Sequence, residues 1–134
     1  MASTIPIKAA IYENPGINHW SLFIDAEEKA LKTIIHLLGA RQRYFLGVRT
    51  PSDARISNSL IELHPLCEID ATKIDDIKNF AWDMPIHNDR SDYSCQDFVL
   101  EILDKLEGEG IIDRENDDYQ NNKGALKAKR ESWQ

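Results

Sequence analysis

The sequence predicts an α+β domain, in which an antiparallel sheet of four to five strands is packed by two to three helices. Three observations lead to this fold class. The first half of the 134 residues consists of short β-capable segments separated by turn residues. After Glu68 the apolar residues recur at spacings of three and four, which is typical of amphipathic helices. The composition, 42% hydrophobic and 29% charged, is that of an ordinary globular chain.

Five segments of the first half are predicted as strands. They span residues 7–12, 17–24, 31–38 and 41–48, with a further short strand within 56–66 that ends before Pro65. Alternation in the second segment places His19 and Ser21 on one face and Trp20 on the other. The short polar connections between these segments favour an antiparallel arrangement.

Two helices are predicted from the apolar periodicity that follows. In the first, Asp70 is the expected N-cap and Pro85 lies beyond the end. The second has the stronger pattern, and Ser94 followed three residues later by Asp97 forms a capping-box-like start. Its apolar face is made of Cys95, Phe98, Val99, Ile102, Leu103 and Leu106, and Gly108 and Gly110 end it.

The predicted domain covers residues 1–112. Residues 113–134 are polar, acidic at first and basic towards the end, with few apolar side chains before Leu126 and Trp133. We therefore expect this segment to be a mobile tail or a loosely docked final helix.

Charge and composition exclude several classes of protein. With 23 acidic and 16 basic residues, the net charge of −7 does not suit a general nucleic-acid binder or a protein that docks on anionic membranes. No apolar run approaches the roughly 20 residues of a membrane span, so no transmembrane anchor is expected. The start of the chain lacks a secretory leader, and two cysteines imply no disulfide framework. These features predict a cytoplasmic protein, whose oligomeric state the sequence leaves open.

One set of residues carries the chemistry of a thiol nucleophile. As the first helical residue, Cys95 is expected beside unpaired backbone amides that favour a thiolate and lower its pKa. His19 lies on an otherwise apolar strand and is the natural general base. If the third segment pairs antiparallel with the second, His36 becomes a neighbour of His19 and can fix its tautomer.

A metal site is not expected. His64, His87 and Cys67 are candidate ligands by type, but the chain has no Cys-x-x-Cys or His-x-x-x-His pair. The chain also has no glycine-rich phosphate loop, so a bound nucleotide is not expected either. We expect no cofactor and a small-molecule or peptide-like substrate.

Three parts of the sequence together resemble a known family. They are His19-Trp20-Ser21-Leu22-Phe23-Ile24, then His36, then Tyr93-Ser94-Cys95-Gln96-Asp97-Phe98-Val99. They are similar to circularly permuted papain-like cysteine enzymes of the NlpC-type superfamily, including the lecithin–retinol acyltransferase group. In that group the histidine strand precedes the cysteine helix. Here Ser-Cys-Gln-Asp stands where Asn-Cys-Glu-His is usual, and no apolar C-terminal anchor is present.

This resemblance implies a permuted papain-like fold and acyl transfer through a thioester. It implies Cys95 as nucleophile, His19 as base and then acid, and His36 as the residue that orients His19. The oxyanion hole and pocket would be formed by residues beside them, namely Tyr93, Ser94, Trp20 and Gln96.

Three functions are compatible with the same residues. A hydrolase, amidase, peptidase or acyltransferase is the first interpretation, and a cyclase or isomerase on the same scaffold is the second. In the third, the chain is a catalytically silent binding module, and Cys95 and the two histidines are core residues.

Overall fold

A computed structural model describes residues 3–133 and has the predicted α+β architecture. Its strands and helices follow in chain order: β1 (Thr4–Tyr12), β2 (His19–Ile24), β3 (Thr33–Leu38), β4 (Phe45–Arg49), β5 (Leu60–Asp70), α1 (Ile74–Asp83), α2 (Cys95–Gly108) and α3 (Asp117–Lys127). The five strands form one antiparallel sheet in the order β4-β3-β2-β1-β5. The predicted antiparallel sheet with helices is therefore confirmed.

The two faces of the sheet bury different sets of side chains. Trp20, Leu22 and Ile24 of β2 belong to the main core, together with the apolar face of α2. Phe23 belongs to a smaller cluster on the opposite face. This division confirms the alternation predicted for β2, and it leaves His19 on the face away from the main core.

The last two strands differ most from their predicted extents, for identifiable reasons. The predicted strand 41–48 begins only at Phe45, because residues 40–43 form a turn in which Gln42 has a φ of 63°. The last strand was predicted to end before Pro65 but continues to Asp70. Since β5 lies at the sheet edge, the missing N–H of Pro65 is tolerated, and an irregularity in the pairing with β1 falls beside it.

The predicted start of α2 is confirmed. Ser94 is its N-cap and accepts a hydrogen bond from the amide of Gln96 at 3.1 Å. The Asp97 carboxylate accepts from the amide of Ser94 at 2.9 Å, which completes the capping box. Cys95 is thus the first residue of a helix whose apolar face is fully buried against the sheet.

The segment 113–134 was predicted as a mobile tail or a loosely docked helix, and the structure has a helix there. Helix α3 packs on β5 and buries Tyr119 and Leu126. Lys123, 6% exposed, pairs with Asp104 and Glu107 of α2. Three buried side chains on one polar helix are enough to hold it against the domain.

After α3 the chain crosses the start of α2. We call residues 130–133 the C-terminal strap. Arg130 pairs with Asp97 at 2.6 Å, and the indole N–H of Trp133 donates to the carbonyl of Tyr93 at 3.0 Å. Both contacts hold the strap against the loop and first turn that carry Cys95.

Within the described part of the chain, no helix combines the length and the apolar character that crossing a membrane requires. Helix α2, the longest, has 14 residues and is amphipathic.

Candidate functional site

The two histidines predicted as neighbours are in direct contact. Antiparallel pairing of β2 with β3 aligns Leu22 with Ile35. His19 and His36 lie beyond that pair on the same face of the sheet, and His19 Nε2 is 2.9 Å from His36 Nδ1. The rings are tilted by 58° with centroids 5.0 Å apart, so a hydrogen bond rather than stacking joins them.

The bond between the rings has a direction that matters for chemistry. If His19 Nε2 carries the hydrogen, it donates to His36 Nδ1 and leaves His19 Nδ1 with a free lone pair, as a general base requires. His36 then carries its hydrogen on Nε2, a buried atom without a hydrogen-bond partner among the described residues. That buried donor destabilises the free protein in this tautomer.

Both rings are neutral at physiological pH. Burial lowers the pKa of His19 below its ordinary value of 6.5. Burial, and then the nearby His19 and Arg49, lower the pKa of His36 to about 4. A neutral imidazole can accept a proton, so the environment of His19 keeps it in the form that a base needs.

Cys95 lies at the start of α2 with little of its side chain exposed. Its residue is 5% exposed, and the Sγ–H group contacts the carbonyl of Asn18 at 3.9 Å. Among the described residues no hydrogen bond joins Sγ to the His19 ring. In this resting arrangement the hydrogen-bond partner of the thiol is therefore the residue that precedes His19 and not the imidazole ring.

The thiol is not the preformed thiolate that its helix position predicts. Burial raises the pKa of Cys95 to about 11, and the nearby Asp97 carboxylate raises it further. Backbone amides of Trp20, Gln96 and Cys95 itself favour the thiolate but do not offset the burial. The expectation of a lowered pKa was wrong because the cost of desolvating a buried sulfur exceeds the effect of the helix dipole.

One cavity nevertheless contains both proposed reacting groups. It has a volume of about 530 Å³ and lies where β2, the β3–β4 turn and the start of α2 meet. Its lining includes Cys95, His19, Arg41, Tyr44 and Trp133. Most of the remaining lining is apolar, contributed by Pro15, Ile17, Leu37, Leu38 and Ala40.

A second cavity lies on the face of the sheet away from the helices. It measures about 470 Å³ and is lined by both histidines, Tyr12 and Arg49, among others. His19 belongs to the lining of both cavities. His19 therefore borders both the cavity that contains Cys95 and the second cavity, whereas His36 lines only the second.

The four residues expected to form the oxyanion hole and pocket have different surroundings. Trp20 is a core residue, 1% exposed, and contributes its backbone amide near the sulfur. Ser94 is occupied as the N-cap. Gln96 is fully buried, and its amide nitrogen donates to the carbonyl of Asn18 at 2.9 Å. The Tyr93 hydroxyl is buried without a hydrogen-bond partner among residues 3–133.

Sequence reasoning missed two residues of this cavity. Tyr44 has its pKa raised to about 12 by burial and by the Cys95 sulfur, while the backbone amide of Cys95 lowers it. Its hydroxyl is therefore close to the thiol and to the amide expected in the oxyanion hole. Trp133 lies under Arg41, 5.1 Å from ring centroid to guanidinium carbon. Tyr44 was counted as a strand residue and Trp133 as part of a polar tail, and neither belongs to a motif.

The remaining candidate ligands are held elsewhere. His64 Nε2 hydrogen-bonds to the carbonyl of Asn122 at 2.8 Å, and His87 lies 3.4 Å from Glu101. Cys67 lines a different cavity, and burial raises the pKa of its thiol to about 12. Across residues 3–133, no three His, Cys, Asp or Glu side chains converge in a way that could hold a metal ion.

Comparison with known proteins gives one match. No curated protein and no solved structure matches the chain significantly. The model of a protein family, described as "Family of unknown function (DUF6540)", matches residues 7–113. This range contains most of β1 and all of β2, β3, β4, β5, α1 and α2, with Cys95, His19 and His36. The chain therefore belongs to the family of unknown function DUF6540.

Proposed function

We propose that this protein is a cysteine-dependent acyl-transfer enzyme, and that its fold is a permuted papain-like one. The observation that carries the proposal is the hydrogen bond of 2.9 Å between His36 and His19, together with the cavity that His19 lines along with Cys95. A neutral base, a second ring that orients it and a thiol at a helix start are the parts that thiol acyl transfer needs. The order of histidine strand before cysteine helix supports the permuted assignment.

The neutral resting thiol favours general-base activation over a preformed ion pair. His19 Nδ1 takes the proton from the thiol as Sγ bonds to the carbonyl carbon of the substrate. The carbonyl oxygen becomes an oxyanion, and we assign its stabilisation to the amide of Cys95 and to the hydroxyl of Tyr44, which lines the same cavity. When the C–O or C–N bond breaks, protonated His19 returns its proton to the leaving group and a thioester on Cys95 remains.

The thioester is then resolved by water or by another acceptor. His19 takes the proton of the acceptor, whose oxygen or nitrogen attacks the thioester carbon, and the thiol leaves with that proton. The largely apolar lining of the cavity suits a small acyl or peptide-like substrate. Hydrolysis and transfer differ only in which acceptor enters.

The experiment that tests the proposal is acylation by p-nitrophenyl butyrate. Release of nitrophenol measures the rate of the reaction, and mass spectrometry identifies the acylated residue. We expect a butyryl adduct on Cys95 in the parent chain and no adduct at position 95 in Cys95→Ala. His19→Ala is expected to slow the acylation of Cys95 by about 100-fold or more. His64→Ala is the matched control, because it removes a buried histidine outside the cavity. Equal acylation of Cys95 and Cys67, or no effect of His19→Ala, would contradict the proposal.

A catalytically silent binding module is the second candidate function. It is favoured by the contact of Sγ with the Asn18 carbonyl and by the 5% exposure of Cys95, both of which suit a core cysteine. Under this alternative, the same experiment gives no adduct at Cys95, and Cys95→Ala destabilises the fold by about 1 kcal/mol.

A further inference from the structure

The start of β2 and the start of α2 are joined by a closed set of hydrogen bonds that includes the C-terminal strap. The Glu131 Oε1 atom accepts from the backbone amide of Asn18 at 2.9 Å and from Gln96 Nε2 at 3.1 Å. Gln96 Nε2 also donates to the carbonyl of Asn18 at 2.9 Å, and Gln96 Oε1 accepts from the amide of Glu131 at 2.8 Å. We call these three residues the bridge.

The bridge lies one residue away from each proposed reacting group. Asn18 directly precedes His19, and Gln96 directly follows Cys95. The residue before β2 and the start of α2 are joined by the Glu131 carboxylate and by the direct Gln96–Asn18 hydrogen bond, beside the contact of Cys95 Sγ with the Asn18 carbonyl. Glu131, which lies 35 positions beyond Gln96, thus contacts both sides of this junction.

The strap that carries Glu131 is held on both sides. Arg130 pairs with the Asp97 carboxylate at 2.6 Å, and Trp133 donates to the Tyr93 carbonyl at 3.0 Å. Trp133 also lines the cavity that contains Cys95 and His19. Because its neighbours are fixed, the Glu131 carboxylate is held in place rather than free to move with the chain end.

We propose that Glu131 is a positioning residue for the Cys95–His19 site, which holds the thiol-bearing helix start and the imidazole-bearing strand at the separation that proton transfer needs. This inference rests on the proposed function. Misplacing a reacting group by about 1 Å can cost about 100-fold in rate, so loss of the bridge has a catalytic effect out of proportion to its effect on stability.

The side chain of Glu131 offers a conservative rescue. Both hydrogen bonds to the carboxylate go to one oxygen, Oε1. Glutamine has an amide oxygen at the same distance from the backbone, so Glu131→Gln preserves both hydrogen bonds to Oε1, whereas Glu131→Ala removes them. Ser132→Ala is the matched control, since it alters the exposed neighbour in the same strap.

The experiment measures the rate of Cys95 acylation by p-nitrophenyl butyrate in the full chain. We expect Glu131→Ala to lower this rate by about 10-fold or more, with Glu131→Gln within about 3-fold of the parent and Ser132→Ala unchanged. If Glu131→Ala does not fold, Glu131→Asp replaces it, because it keeps the charge but shortens the reach by one methylene.

A double-mutant comparison separates positioning from general destabilisation. If Glu131 positions His19 and Cys95, then Glu131→Ala with His19→Ala is little slower than His19→Ala alone, because both changes remove the same proton transfer. Additive effects, or full activity of Glu131→Ala in a folded protein, would overturn the inference and leave the proposed function intact. If His19→Ala has no effect in the parent chain, the proposed function itself fails.

Discussion

At the scale of single residues, the chemistry depends on burial more than on position along a helix or strand. Cys95 has the helix start that favours a thiolate, yet burial raises its pKa to about 11. The same burial lowers the pKa of both histidines and keeps them neutral. Because the thiol and the imidazoles are all neutral at rest, the proposed function assigns His19 the role of a general base rather than that of one half of an ion pair.

The half-buried His36 makes the stability of the protein depend on pH. Its pKa is about 4 in the folded chain and 6.5 ordinarily, so between these values the unfolded chain binds more protons. The free energy of unfolding therefore falls as the pH drops from 6.5 to 4, by up to about 3 kcal/mol from this residue. Urea unfolding at a series of pH values measures it. In His36→Gln the side-chain amide can still hydrogen-bond to His19, but we expect the contribution of His36 to the fall in the free energy of unfolding to disappear. An unchanged dependence of that free energy on pH would contradict the assignment of the fall to His36.

At the scale of elements, the first turn of α2 combines a structural and a chemical role. Ser94 and Asp97 form the capping box around Cys95. Asp97 also pairs with Arg130, so the same turn is the point where the C-terminal strap attaches. The cap of this helix therefore fixes the turn that carries Cys95, the proposed nucleophile, and also provides the contact for the strap.

Removing the cap tests this double role. Ser94→Ala is expected to lower the free energy of unfolding by about 1 kcal/mol, as loss of an N-cap usually does. Asn116→Ala removes the N-cap of α3 and is the matched control with a similar loss of stability. Only Ser94→Ala should slow acylation of Cys95, because only that turn carries the thiol. Equal acylation rates in the two variants would show that the first turn of α2 holds Cys95 without its cap.

At the scale of the whole molecule, an ion cluster joins segments that are distant in sequence. Asp25, whose side chain is 7% exposed, pairs with Lys8 of β1 and Lys32 before β3, each at 2.7 Å, and with Arg55 from the β4–β5 connection. These cations, Arg55 first, hold the pKa of Asp25 well below its usual range. The cluster therefore holds the β4–β5 connection, which borders the second cavity, against the middle of the sheet.

Neutralising that carboxylate is predicted to weaken the whole fold. Asp25→Asn keeps the size of the side chain but leaves three cations without their shared partner, and we expect a loss of about 3 kcal/mol in the free energy of unfolding. Asp75→Asn, an exposed acid of α1, should change it by less than about 0.5 kcal/mol. Chemical denaturation of both variants measures the difference, and a similar small loss in both would mean that the cluster contributes little.

The sequence by itself determined the features that follow from local rules. Apolar alternation, helical periodicity and the capping box predicted the sheet, the two faces of β2 and the start of α2 at Cys95. The adjacency of His19 and His36 followed from antiparallel pairing alone. These features depend on neighbours along the chain or across one strand pair, which a pattern of residue types can express.

Only the tertiary structure decided the properties that depend on packing between segments far apart in sequence. The pKa of the Cys95 thiol depends on how deeply the sulfur is buried, and no local pattern records burial by distant segments. The roles of Tyr44, Glu131 and Trp133 likewise arise where a turn and a polar C-terminal strap meet the cavity. Desolvation and contacts between segments far apart in sequence are properties of the folded chain, so they appear only when all the segments are in place.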